Sequence, residues 1–225
     1  MRGIVFKFSR SIRHRPLRLP RLSIGSQSFR EFLSRYALQI LFLMLFVTGL
    51  TLGAAYSGSA DDTLIDRLDL LFTTNLESRS SMSGVGIYLS CFSADFLFVL
   101  AAFLLGMSAW GSIALPMLVL FKGFSVGLSS AMMFMLYRGV GIGFYLLVIL
   151  PGTTLFLIGF IRYLRYAFAL SIRYGRLTLK DGGESVRSLS LKSYLLHSLT
   201  ALLFVLGAAL MDTVLWLLFA QLFDI

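Results

Sequence analysis

The sequence predicts an all-α fold, a polytopic bundle of five transmembrane helices, and three observations carry that expectation. The 225 residues are 57% hydrophobic and 14% charged, against an apolar share of roughly 45–50% in soluble domains. Mean hydropathy is +0.84, which is more apolar surface than one water-soluble core of this size encloses. Five nearly charge-free runs recur along the chain, each about the 20 residues that cross a hydrocarbon layer roughly 30 Å thick.

Residues 1–36 form a basic tail, with nine Lys and Arg against the single acid Glu31. An organelle transit peptide has a similar composition, but Pro16 and Pro20 would interrupt its helix, so a tail lying on anionic lipid is the favoured reading. Span one, 37–56, reads ALQILFLMLFVTGLTLGAAY and ends before the Gly58-Ser59 break. The outer loop, 57–84, contains SADDTLIDRLDLLFTTNL, in which Ser59 and Asp62 have capping-box spacing. Leu64, Leu68, Leu71 and Phe72 recur there at helical intervals. An amphipathic helix in the membrane interface is expected, and these four residues are the contact candidates if a partner docks on that side.

Span two, 85–106, is interrupted by Asp95, and span three, 109–136, carries Lys122 near its middle. At 28 residues and about 42 Å, span three is overlong. It is expected to tilt, or to bend or split where Pro116 removes a backbone donor and Gly123 relaxes the turn. Span four, 141–161, holds Pro151 and follows a glycine-rich boundary at 139–143. An inner loop, 162–198, has seven basic residues against two acids, and span five, 199–223, carries Asp212. The transmembrane domain is thus 37–223. With the basic tail and basic loop inside and the acidic loop outside, the N-terminus is cytoplasmic and the C-terminus external.

The net charge of +9 is concentrated at the expected membrane surface, so it points to acidic lipid and not to nucleic acid. Cys91 is a lone cysteine and excludes an internal disulfide framework. The two histidines, His14 and His197, are too few and too far apart for a zinc site, and neither metal nor cofactor is expected. An H-E-x-x-H pair, a Walker A loop and the paired aspartates of an intramembrane protease are all missing, so no enzyme is expected.

Asp95, Lys122 and Asp212 fall near span centres, where an isolated charge costs roughly 2.5–3.5 kcal/mol on insertion scales. They are expected to find one another in an intramembrane charge layer. A structural clasp is the favoured reading of that layer, and a transporter or permease subunit is the alternative. Gly49 with Gly53, and Gly123 with Gly127, have small-xxx-small spacing, read as internal helix packing ahead of a dimer face.

One stretch is more specific. FLLGMSAWG at 103–111, LPMLVLFKGFSVGLSS at 115–130, the glycines of 139–143 and FYLLVILP at 144–151 together resemble the stage II sporulation protein M family of bacterial membrane proteins. The resemblance implies a non-enzymatic scaffold in the bacterial cytoplasmic membrane. In spore formers such a scaffold assembles with peptidoglycan hydrolases, a lytic transglycosylase and an amidase, during engulfment.

Overall fold

A chain entering lipid must satisfy its backbone N–H and C=O groups from within, so isolated apolar runs fold there as helices. The computed structural model describes residues 26–58, 82–179 and 191–219, and its regular structure over them is wholly helical. Helix α1 is Ser26–Ser57, α2 is Gly84–Gly106 and α3 is Gly111–Phe144. A π-helical turn, Tyr145–Ile149, leads into α4, Leu150–Leu179, and α5 is Leu191–Phe219. Five stretches are long and apolar enough to cross a membrane: Tyr36–Ser57, Gly84–Gly106, Gly111–Met135, Tyr137–Arg176 and Lys192–Phe219. Residues 1–25 of the basic tail and the outer-loop candidates Leu64, Leu68, Leu71 and Phe72 lie outside the described residues.

The bend expected at Pro116 and Gly123 is not present. Helical dihedrals continue through both, and the backbone leaves the helix at Arg138 (φ 47°, ψ −128°). Pro116 lies near the start of α3, so its missing N–H withdraws a single bond, the one Ser112 would otherwise accept. Arg138 is the corner of a helical hairpin, as the edge-to-face contact of Phe134 with Tyr145 across it shows. Gly141 lets that corner close, since a side chain there would press on the Met133 carbonyl and Tyr137.

The segment expected as an inner loop over 162–198 is also largely helical. The fourth span extends to Arg176, α4 continues to Leu179, and α5 begins at Leu191. Hydropathy ends at Arg162, but helical periodicity does not. Tyr163, Leu164, Ala167, Leu170 and Ser171 are buried, while Arg162, Arg165, Tyr166 and Arg173 are exposed. Such a two-faced helix leaves the apolar region without unwinding.

The helices pack around two apolar clusters. The larger includes Phe42, Phe46, Phe98, Val119, Phe156, Tyr163 and Val205, and the smaller joins Ile87, Cys91, Met133, Phe144, Val148 and Trp216. Exposed Leu41, Met44, Leu97, Met117, Leu203 and Leu210 belong to the face that meets lipid, where an apolar side chain needs no protein cover. At the start of α2, Ser83 caps the helix by accepting the Gly86 N–H at 3.3 Å.

Candidate functional site

Asp95 is the middle residue of α2, and the close antiparallel run of α2 and α3 brings it to Lys122. Lys122 Nζ donates to Asp95 Oδ1 at 2.8 Å, and the two side chains are 7% and 14% exposed, Lys122 the more buried. Aromatic rings close the pair from two helices. The ammonium lies 4.5 Å from the Phe98 ring centroid on α2 and 5.0 Å from that of Phe156 on α4. The negative ring faces add attraction for the cation while excluding water. The arrangement ties α2, α3 and α4 together at mid-span.

Asp212 sits elsewhere along the bundle. Its Oδ1 is sealed from solvent on the α4–α5 seam, packed so closely on Gly152 that a methyl there would collide with the carboxylate. Gly152 precedes Phe156 by one helical turn, so this carboxylate is displaced about 6 Å along α4 from the Lys122 cover. The expected three-residue layer is therefore a direct pair and a stepped third member. Residues at helical spacing from these two carboxylates also face inward: Cys91 and Ala102 on α2, and Ala201, Val205 and Ala208 on α5, are all buried.

The four spaced glycines meet as two facing ridges. Side chains at Gly49 and Gly53 would strike the Leu120 and Phe124 carbonyls, and side chains at Gly123 and Gly127 would strike those of Phe46 and Leu50. α1 and α3 therefore run parallel with backbone against backbone, a contact only glycine permits. The segment Gly123-Phe124-Ser125-Val126-Gly127 also has the G-x-S-x-G spacing of a hydrolase nucleophile elbow. An elbow requires a strained strand-to-helix turn, whereas this segment is continuous helix with Ser125 buried and both glycines against α1.

Several intramembrane hydroxyls bond within their own helices. Ser129 donates to the Ser125 carbonyl at 3.0 Å, Ser130 to Gly127 at 3.0 Å, Thr153 to Ile149 at 2.9 Å and Thr213 to Ala209 at 2.7 Å. Back-bonding of this kind satisfies a hydroxyl without lining a path.

One polar cluster went unrecognised in the sequence. Tyr163 donates to the Tyr194 hydroxyl at 2.7 Å, and Tyr194 donates to the Phe103 carbonyl at 2.9 Å. Ser171 donates to the Ser108 carbonyl at 2.8 Å. These bonds fasten α4 and α5 to the short α2–α3 turn, and Gly106 leaves the space that the Tyr194 hydroxyl fills. The available signal was spacing: Phe156, Phe160 and Tyr163 share one helical face.

Fold and site together define a multi-pass α-helical membrane protein with a buried ion pair between two of its spans. Residues 40–218 match the family described as Stage II sporulation protein M. The chain belongs to that family, and it is a membrane protein of the sporulation class. No curated protein and no solved structure matches it.

Proposed function

We propose that this chain is a non-enzymatic scaffold in the bacterial cytoplasmic membrane, positioning partner proteins on its outer side. In a spore former those partners are the peptidoglycan hydrolases of engulfment. The observation that carries the proposal is the closed Lys122–Asp95 pair, 2.8 Å apart under Phe98 and Phe156. A transport site must present charge to a moving solute, whereas this pair presents it to protein. Family membership supports the sporulation setting. The distribution of Lys and Arg supports a cytoplasmic N-terminus and an external C-terminus, which leaves the acidic 57–84 loop on the wall side.

Leu64, Leu68, Leu71 and Phe72 are the proposed partner contacts, on the strength of their helical spacing in that loop. Crosslinking followed by affinity purification from native membranes tests the assignment. Wall hydrolases should co-purify with the wild-type chain and be lost when Leu68, Leu71 and Phe72 are all replaced by Ser. Undiminished co-purification with that variant, at equal membrane abundance, would overturn the assignment.

A further inference from the structure

Between α4 and α5, toward the arginine-rich end of α4, lies an open cleft of about 290 Å³ lined by Gly159, Arg162, Tyr166, His197, Thr200 and Phe204 among others. Its lining carries the Arg162 charge and no acid. Among the described residues Arg162 makes no salt bridge, the pair formed by Lys122 and Asp95 being elsewhere. The wall beside Arg162 is preorganised. The Tyr166 and His197 rings are in contact, tilted by 34° with centroids 3.6 Å apart, and His197 Nδ1 lies 2.6 Å from the Ser193 carbonyl. A carbonyl only accepts, so Nδ1 carries a proton and Nε2 is the nitrogen left to the cleft.

The cleft is graded along α4. Phe204 forms its apolar floor, where Gly159 is so close that any side chain would collide with the ring. Phe156 covers the mid-span ion pair, and Arg162 and Tyr166 follow it by about 9 and 15 Å of helix rise. Half a hydrocarbon layer is about 15 Å thick, so the rim of the cleft reaches headgroup level and its floor stays among acyl chains. Arginine suits that depth, because its stem lies in the apolar region while the guanidinium reaches outward. A planar fork of N–H donors without a carboxylate matches phosphate oxygens.

We infer that this cleft is a binding site for an anionic phospholipid, with the headgroup phosphate on Arg162 and an acyl chain against Phe204. It is separate from any nonspecific attraction of the basic tail to acidic membrane. The site does not depend on the scaffold proposal, since it concerns lipid held at the α4–α5 seam whatever partners the outer loop takes.

The test uses the purified full-length chain in detergent, with lipid retention followed by native mass spectrometry and thermal unfolding. Phosphatidylglycerol, phosphatidylcholine and inorganic phosphate are titrated separately. Phosphatidylglycerol should be retained at one copy and raise the melting temperature, with phosphatidylcholine and inorganic phosphate far weaker. Arg162→Gln should weaken phosphatidylglycerol retention by about tenfold, the loss of one charge-assisted contact. Thr200→Trp, which fills the cleft with every charge intact, should do the same. Arg176→Gln, on an exposed residue outside the cleft, should retain the wild-type response and so accounts for general charge effects. Equal responses of Arg162→Gln and Arg176→Gln, with Thr200→Trp silent, would overturn the site. Saturation by inorganic phosphate as strong as by lipid would overturn the lipid assignment.

Discussion

Replacing Lys122 with Met keeps a long unbranched side chain in α3 and removes the ammonium alone. The loss comprises the 2.8 Å bond to Asp95 and the contacts with Phe98 and Phe156. Asp95, whose side chain is 14% exposed, is left as a carboxylate facing aromatic rings. Removing one member of a buried pair costs about 3–5 kcal/mol, and even the lower bound changes the folded-to-unfolded ratio by roughly 150-fold. Replacing both partners, as in Asp95→Leu with Lys122→Met, leaves no orphaned charge and should fall within about 1 kcal/mol of wild type. SDS titration of the purified protein in mixed micelles measures this, read by the fluorescence of Trp216, which is buried edge-to-face on Phe144. A single variant as stable as wild type, or a double variant as unstable as the single, would refute the clasp.

The same assay checks three further sites. Gly123→Val should destabilise by about 1–3 kcal/mol or more, because its side chain strikes the Phe46 carbonyl in a contact with no room to yield. Gly152→Ala should destabilise by a similar amount, about 1–3 kcal/mol. Adding Asp212→Ala should recover much of that loss in a double-mutant cycle, since the collision is with the Asp212 carboxylate. Tyr194→Phe should cost about 1–3 kcal/mol, because it removes both the donor to Phe103 and the acceptor for Tyr163. Tyr163→Phe should cost less, since the Tyr194 bond to Phe103 survives it.

The bundle was legible in the sequence where bilayer thickness alone sets the element. Spans expected at 37–56, 85–106 and 109–136 correspond to Tyr36–Ser57, Gly84–Gly106 and Gly111–Met135. The fourth span was under-read because a hydropathy run stops at Arg162 regardless of where its side chain points. Burial of Tyr163, Leu164 and Ala167 on one face carries the helix to Leu179. Pro116 and Gly123 were over-read, since proline near a helix start disturbs little and glycine under a facing backbone is held in place. The break at Arg138 could not be read from residue type, because its positive φ is a conformation that arginine rarely adopts.

At the site, the Asp95–Lys122 pairing was legible because opposite charges at mid-span have few other partners. The stepped position of Asp212 was not, for it depends on where Gly152 opens a space on the neighbouring helix. The Tyr163–Tyr194 link joins residues 31 positions apart. It depends on α4 continuing past Arg162, where hydropathy gives no sign of a helix.

Retrieval of partners from the native membrane by the paired variant, Asp95→Leu with Lys122→Met, tests the scaffold account most directly. The measurement is quantitative affinity purification normalised to folded protein. The account predicts that peptidoglycan hydrolases co-purify with this variant at the wild-type ratio, because the ion pair serves only to join helices. Loss of those partners from a folded variant, or recovery of a transport ATPase in their place, would contradict it.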